Sequence, residues 1–459
     1  MTDVLDSTLL QGNFSTPAVR SIWSDENKIK SQIKVEASLS KIEGQLNVIP
    51  RTAADKIVSI AKFENFNIDD LAKETREKRH SLIALVHRLQ ALAGDEAGEY
   101  VHFGVTTQDI VDTGTILQVK QAYAILLKDS KTLIDILKVQ TNRYRNTIEI
   151  GRTHGIQAIP TTFGFKLAVW LDELVRDHRR LVALNDRHTF VGNINGAIGT
   201  YAAFGSKGPE IEKKVLADLD LDVPTISWQS SRDRLAEFAT VIGIYSGTLG
   251  KIGHELFNLM KTEVDEIHEP FKKGEIGSST MPQKRNPALI ESLAALTQPI
   301  IKDADLMLET MIIDSERDSM HWRNEWVALP EITNHLDTQL TLTATIIKDF
   351  QVNTDQMLRN VNLQNGLPFA EHIMFNLGTV IGKQSAHELV YNSAMEAIEQ
   401  HENFLDVLYK QPDVKQNFTR DQLTDWTDPS KDLGSISEKI DDVLAEANNL
   451  SRIVQIEEE

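Results

Sequence analysis

Apolar residues recur along most of this chain at the three- and four-residue spacing of an α-helix, and strict strand-like alternation is scarce. The longest segment, residues 115–150, contains neither glycine nor proline. It predicts one helix of about 35 residues, roughly 50 Å long. Similar patterns predict helices over 162–186, 231–267 and 288–329, with a bend at Pro299. Such helices carry apolar residues on more than one face, which favours a bundle shared between subunits.

Two breaks in the helical pattern divide the chain. The first is the polar turn VTTQDIVDTG at 105–114, and the second is Gly-Leu-Pro at 366–368. We therefore predict an all-α protein of three helical domains, since 459 residues exceed the usual size of a single core. The domains are an N-terminal helical domain at 1–110, a central long-helix bundle at 111–362 and a C-terminal helical domain at 363–459.

Composition narrows the partners. The formal charge of −19 argues against nucleic acid, whose phosphates require a basic surface. No apolar run is long enough to cross a membrane, no secretory signal begins the chain, and cysteine is absent, so we expect a cytoplasmic protein. An anionic substrate would need local clusters of cations within this acidic protein. Lys284-Arg285 and Arg232-Asp233-Arg234 are two such clusters.

The segment GSSTMPQKRNP at 277–287 combines glycine, two prolines, adjacent serines, two cations and an amide. Glycine allows a close approach of the backbone to a ligand, and the prolines prevent the loop from continuing as helix. These side chains could bind a carboxylate and stabilise negative charge that develops on it. A polar surface turn is the alternative for a loop of this composition.

Three other polar positions could carry chemistry. His154 lies in the segment GRTHGIQAIPTTFG and could transfer a proton near neutral pH, or merely cap the preceding helix. Arg79-His80 could hold an anion, and Thr106-Thr107 could orient a carboxylate, although each is also compatible with an ordinary turn. The sequence contains no metal-binding motif and no glycine-rich phosphate loop.

The segments VTTQD, GRTHGIQAIPTTFG and GSSTMPQKRNP resemble, in this order, the three separated motifs of the fumarase/aspartase superfamily. The segments at 20–36 and 79–81 are similar to adenylosuccinate lyases. The resemblance implies a homotetramer whose core is the central bundle, with each active site completed by three subunits. It also implies elimination of fumarate from a small dicarboxylate, an N-substituted succinate, without a metal or organic cofactor.

The family motifs also imply residue roles. Ser278 resembles the family's base, and His154 would protonate the departing nitrogen. The remaining candidates would bind or orient the substrate; they are Arg79, His80, Thr106, Thr107, Ser279, Lys284, Arg285, Asn286, Arg232 and Arg317.

Within the superfamily the sequence resembles two branches. STPAVR at 15–20, WQSSRDRLAEF at 228–238 and EWVALP at 325–330 are similar to 3-carboxy-cis,cis-muconate cycloisomerases, which usually lack the histidine found here at 154. The N-terminus lacks the Arg-Tyr pair with which adenylosuccinate lyases hold the nucleotide phosphate, and Trp228 replaces their substrate-binding glutamine. We therefore expect a substrate without a nucleotide phosphate. Adenylosuccinate is the alternative, because Arg20, Arg79 or Arg232 could replace the missing clamp. Trp228 and Trp326 could line its pocket or belong to the core. A cycloisomerase and a non-catalytic structural homologue are the alternatives.

Overall fold

The computed structural model describes residues 4–80, 82–272, 274, 277–278 and 280–457, with side chains described as far as 450. The fold is 67% helix and 4% strand, which confirms the all-α prediction. The helices, in chain order, are α1 (Pro17–Ile22), α2 (Asp25–Gln45), α3 (Arg51–Ile60), α4 (Ile68–Lys78), α5 (Ile83–Ala93), α6 (Asp95–Gly98), α7 (Thr107–Arg143), α8 (Phe163–Asp186), α9 (Gly208–Asp218), α10 (Asp233–Leu259), α11 (Ala288–Ala295), α12 (Thr297–Glu309), α13 (Glu325–Asp349), α14 (Thr354–Val361), α15 (Ala370–Ile381), α16 (Lys383–Gln400), α17 (Phe404–Lys410), α18 (Pro412–Asn417), α19 (Arg420–Asp425) and α20 (Ile436–Glu457). The short strands are β1 (Ile148–Thr153), β2 (Ile156–Thr162), β3 (Ile267–His268) and β4 (Gln351–Val352).

The chain forms two compact units, each assembled from three separate stretches. The first unit comprises Met1–Lys131, Asp177–Leu249 and Ala295–Thr341, and the second comprises Thr132–Arg176, Gly250–Ala294 and Leu342–Glu459. The predicted boundaries after residues 110 and 362 stay a prediction.

In the first unit, α2 packs against α3 and α9. Its N-terminus is capped by Ser24, whose hydroxyl accepts a hydrogen bond from the Asn27 amide at 3.2 Å. A side chain at Gly44 would place its Cβ 2.4 Å from the Cβ of Ala54, so glycine permits the close approach of α2 and α3.

In the second unit, β1 and β2 form an antiparallel hairpin with an irregularity between Ile150 and Arg152. Ile150 is fully buried in a core formed with the C-terminal helices, including Phe369, Ile373 and Phe404. Because side chains alternate along a strand, the neighbouring Glu149 points to the opposite face. Through Ile150, the end of the hairpin remote from its turn packs on the C-terminal core.

This hairpin corrects the prediction for residues 115–150. The helix begins earlier, at Thr107, and ends at Arg143, and residues 148–153 are a strand. Ile148 and Ile150 are two residues apart, the spacing that places side chains on one face of a strand, and both pack on the C-terminal core.

The predicted helix over 288–329 was also wrong, since this stretch holds two helices, a turn and the start of a third. Pro299 lies in the first turn of α12, where the missing N–H has no helical partner to lose. The Asp318 carboxylate accepts hydrogen bonds from the backbone N–H groups of Asp314, Met320 and His321 at 2.8, 2.6 and 3.1 Å, which folds the turn before α13. The helix predicted over 231–267 similarly ends at Leu259.

Two further findings concern the described part of the chain alone. None of its helices is both long and apolar enough to span a membrane. It also contains no group of three or more histidine, aspartate or glutamate residues that could hold a metal ion.

Candidate active site

The second unit presents His154 at the tip of the β1–β2 hairpin. Thr153 pairs with Ile156, so His154 and Gly155 alone form the loop, with φ of 54° and 79°. Two successive positive φ values are typical of the type I′ turn, whose twist matches that of the flanking strands. The imidazole is exposed, and among the described residues it makes no hydrogen bond or ion pair. His154 therefore lies exposed in the turn of a β-hairpin and does not cap a helix.

Among the described residues of the loop at 277–287, Gly277 lies against Lys284 and Arg285. A Cβ at Gly277 would lie 2.5 Å from the Lys284 carbonyl oxygen and 2.9 Å from the Arg285 Cα. These distances are too short for a side chain, so this close contact requires glycine at position 277. At its end, the buried Glu269 carboxylate accepts hydrogen bonds from the amides of Leu289 and Ile290 at 3.0 and 3.1 Å. This carboxylate caps α11 and fixes the point at which the loop ends.

Ser278 is half-buried within this loop, and its hydroxyl accepts hydrogen bonds from two backbone amides. The Met281 amide lies 3.1 Å and the Thr280 amide 3.4 Å from Oγ. Donors that point at an oxygen favour its charged form, so they would lower the cost of an oxyanion at this position.

The cations of the loop differ. Lys284 is exposed, and within the described residues its ammonium has no ion-pair partner. The Arg285 guanidinium stacks on the ring of Phe271, 4.6 Å from the centroid. A cavity of about 960 Å³ is lined by Lys284, Arg285, Asn286 and residues from the end of α10. Ser279, also predicted for this site, lies outside the described residues.

In the first unit, His80 and Thr107 lie in hydrogen-bonding contact. The Nδ1 atom of His80 accepts from the amides of Leu82 and Ile83 at 3.3 and 3.1 Å. A neutral histidine with an accepting Nδ1 carries its proton on Nε2, which lies 3.3 Å from the Thr107 hydroxyl. The ring therefore donates to Thr107 and leaves the hydroxyl proton available for a ligand.

Thr106 is arranged in the same way. Its hydroxyl accepts from the Arg317 guanidinium at 3.0 Å, so its own proton can also point to an anion. Arg317 lies on the turn that Asp318 folds, and the hydrogen bonds from Asp314, His321 and Met320 lower the pKa of that carboxyl to about 2. The turn therefore keeps its carboxylate acceptor throughout the neutral range.

The threonine turn rests on Asp109, which is fully buried. Its carboxylate accepts from the amides of Thr106 at 3.0 Å and Gly196 at 2.8 Å, and from the side chain of Gln229 at 3.2 Å. An acidic residue at the third position of a helix commonly accepts from the capping amide in this way. The TTQD segment therefore contains a sequence signal for this contact, although the predicted site residues do not include Asp109.

The position of Arg232 argues against its predicted contact with the substrate. The side chain is buried, and it donates two hydrogen bonds to Asp112, at 2.7 and 3.2 Å, and two to Glu325, at 2.6 and 2.5 Å. These carboxylates occupy its donors, so the arginine joins the N-terminal regions of α7, α10 and α13 instead. Trp228 stacks on the same guanidinium, 4.7 Å from its centre, and is buried, so it belongs to the core.

The structure brings the predicted residues together as two groups. In the first unit His80 contacts Thr107 and Arg317 donates to Thr106, and the two threonines are adjacent in the chain. Arg79 precedes His80 at the C-terminal end of α4. Ser278 and Lys284 to Asn286 form the second group, on the loop at 277–287. His154 belongs to the same unit as this loop, but in the described part of the chain no hydrogen bond joins the two.

Comparison with known proteins places this chain in a family. The model of a family described as "Lyase" matches residues 11–301, and that of the adenylosuccinate lyase C-terminus matches residues 366–443. Proteins named N-acetyl-S-(2-succino)cysteine lyase are similar along their full length: that of Enterococcus italicus is 50% identical, covering 96% of this chain and 97% of the relative, and that of Dickeya dadantii is 48% identical, covering 98% and 99%.

A solved structure agrees with these matches. The 3-carboxy-cis,cis-muconate lactonizing enzyme of Pseudomonas putida is 31% identical and superposes with a TM-score of 0.91, over 97% of this chain and 100% of the other. Sequence motifs, helical fold and full-length relatives thus lead to one assignment: this chain belongs to the fumarase/aspartase superfamily of lyases.

Proposed function

We propose that the protein is a fumarate-releasing lyase that acts on an S-(2-succino) thioether of the N-acetylcysteine type. The observation that carries this proposal is a similarity that extends over nearly the whole chain. Two proteins named for that substrate are 50% and 48% identical to it. Sulfur as the leaving atom revises the expectation of an N-substituted succinate. The substrate contains carboxylates but no nucleotide phosphate, as the missing Arg-Tyr pair predicts.

The reaction removes a proton from the carbon beside one carboxylate and breaks the adjacent C–S bond. The electron pair of the C–H bond forms the double bond of fumarate, and N-acetylcysteine leaves as its thiolate. Ser278 is the proposed base. The amides of Met281 and Thr280, which lie 3.1 and 3.4 Å from its Oγ, and the positive charge of Lys284 support an oxyanion there.

The developing negative charge on the substrate requires donors that strengthen their bonds in the transition state. We assign Lys284, Asn286 and Ser279 to the carboxylate beside the acidic carbon, as the family motif implies. Arg285, which stacks on Phe271, would add positive potential at the edge of the loop.

The other carboxylate is assigned to the threonine turn. Thr106 and Thr107 each have an acceptor site occupied, by Arg317 and His80 respectively, and each can direct its proton to an anion. Arg317, 3.0 Å from the Thr106 hydroxyl, provides positive charge there, and we assign Arg79, which precedes His80 in the chain, to the same role. This arrangement suits a carboxylate, which accepts several hydrogen bonds at once.

His154 is the proposed proton donor to the leaving group. An amide anion is too basic to leave unprotonated, whereas a thiol has an ordinary pKa of about 8.5 and can leave as a thiolate. The histidine should therefore contribute less to cleavage of a thioether than to cleavage of an amine. Since all these steps use side chains of the protein, the proposal includes no metal or organic cofactor.

Exposed apolar residues on the long helices support a tetramer. Val139 on α7, Val169 on α8 and Ile244 on α10 are 67%, 45% and 46% exposed. Burying such side chains is favourable at about 25 cal/mol per Å² of apolar surface. We propose that these faces form the homotetrameric core and that three subunits complete each active site. The cytoplasm is the proposed location, since a chain without cysteine suits a reducing compartment.

The decisive experiment compares substrates. Purified protein is incubated with N-acetyl-S-(2-succino)cysteine, adenylosuccinate and 3-carboxy-cis,cis-muconate, while fumarate absorbance, free thiol and lactone are followed. Equal amounts of fumarate and thiol from the first compound are expected. A higher kcat/KM for adenylosuccinate, or lactone formation alone, would contradict the proposal.

A further inference from the structure

A cavity of about 790 Å³ lies within the second unit, at the base of the β1–β2 hairpin, and none of the described candidate residues above lines it. Its walls are mainly apolar. The ring or aliphatic side chains that form them include Ile159, Pro160, Phe165, Phe369 and Phe375. Small-molecule sites in proteins have volumes of about 300–1,000 Å³ and combine such walls with a few polar groups.

The polar group that distinguishes this cavity is Glu149. Glu149 is one of the residues that line the cavity; it is 0% exposed, and neither of its carboxyl oxygens has a hydrogen-bond partner. The nearest cation is the ammonium of Lys166, 3.7 Å from Oε1. Buried carboxyl groups are normally hydrogen-bonded, so an unpaired one that faces a cavity indicates a missing donor.

The neighbouring cations are already paired with other carboxylates. The Arg152 guanidinium donates to both oxygens of Glu266 at 2.9 and 2.7 Å, and the Lys166 ammonium lies 2.5 Å from Glu255. Two cations thus face three carboxylates, and Glu149 is the one without a cation of its own. Burial raises the pKa of Glu149 to about 7, with Lys166 opposing and Glu266 reinforcing this shift.

We propose that this cavity is a binding site for a small organic ammonium ion with an apolar body. The ammonium would donate hydrogen bonds to Glu149 and supply the third positive charge, while the apolar body packs against the aromatic and aliphatic wall. A carboxylate ligand is disfavoured, because it would bring a fourth negative charge to three acidic side chains.

The test uses three probes of similar shape and different charge: 2-phenylethylammonium, 2-phenylethanol and 3-phenylpropanoate. Calorimetry or ligand-observed NMR on the full chain should show saturable binding of the ammonium, with the alcohol at least about tenfold weaker, as expected for loss of a charge-assisted hydrogen bond. The Glu149→Gln variant should weaken ammonium binding by at least about tenfold. The matched variant Glu371→Gln changes an exposed carboxylate at the same cavity and should stay within about twofold.

If the Glu149→Gln variant does not fold, the pH dependence of ammonium binding to the wild-type protein tests the proposal instead. Ammonium binding should weaken as pH falls below about 7, because protons then compete for Glu149. The other titratable groups on the wall are Glu371 and the ion pair of His372 with Asp432, 2.7 Å apart, so the pH dependence is compared with that of Glu149→Gln wherever that variant folds. Absence of saturable binding, equal affinity for alcohol and ammonium, or unchanged affinity in Glu149→Gln would each overturn the proposal. None of these results depends on the lyase activity.

Discussion

Replacing Thr107 with valine tests the proposed carboxylate site at one atom. Valine keeps the shape of the side chain but removes the hydroxyl that the structure leaves free to donate. The orphaned Nε2–H of His80 is exposed and can bond to water, so its loss should cost little. The expected penalty is the hydrogen bond to a charged carboxylate, about 1.5–3 kcal/mol. That corresponds to a loss of kcat/KM of about 10- to 150-fold.

The assay is fumarate release from N-acetyl-S-(2-succino)cysteine at several substrate concentrations. The assigned carboxylate is bound in both ground state and transition state, so the loss should raise KM and leave kcat nearly unchanged. Thr107→Ser is the matched control, since serine retains the hydroxyl and should remain within a few-fold of wild type. A Thr107→Val enzyme with unchanged KM, or a fall confined to kcat, would refute the assignment.

Two further predictions concern the proposed acid and base, and a third concerns a buried carboxyl group. Ser278→Ala should abolish turnover at every substrate concentration, while circular dichroism and light scattering stay as in the wild type; activity close to wild type would remove this serine from the role of base. His154→Asn should reduce kcat for an N-substituted succinate more than for the thioether, because a thiolate leaves without a proton, and an equal loss with both substrates would contradict that reasoning. Burial and the nearby Glu36 raise the pKa of Glu43 to about 9, so the folded state retains a proton that the unfolded state loses above its ordinary pKa of about 4.5. The free energy of unfolding of the wild type should therefore fall relative to that of Glu43→Gln as pH rises from about 5 to about 8, by up to about 1.4 kcal/mol per pH unit. Urea unfolding of both proteins measures this free energy, and a difference between them that does not change with pH would contradict the prediction.

The helical class of the protein was predictable because apolar spacing dominates the sequence, but the ends of the helices were not. Residues 310–321 contain neither glycine nor proline, so no local signal marks the turn between α12 and α13. That turn is set by one carboxylate, Asp318, which collects three backbone amides. The β1 strand was missed for a related reason: residues 115–150 contain neither glycine nor proline, so no local signal separates β1 from the end of α7, and the strand is fixed by packing on the C-terminal core.

Prediction of the site depended on motifs rather than on periodicity. The family resemblance selected His80, Thr106, Thr107 and Arg317. In the structure His80 contacts Thr107, and Arg317 donates to Thr106. The environment of Arg232 could not be predicted in this way. An arginine in a basic segment suggests an anion site, but its partner Glu325 lies 93 residues away in sequence. Whether a charged residue faces a ligand or the interior is decided by such distant contacts.

The geometry of the hairpin tip restricts which residues can occupy position 154. Left-handed backbone is accessible mainly to glycine, asparagine, aspartate and, less often, histidine, while alanine or a β-branched residue would strain the turn. Asparagine would therefore preserve the hairpin and remove the proposed proton donor in one step. An evolving enzyme of this architecture could gain or lose acid assistance at the leaving group without refolding its active site. The backbone thereby separates a change of chemistry from a loss of stability, which makes this position an accessible point for divergence to new substrates.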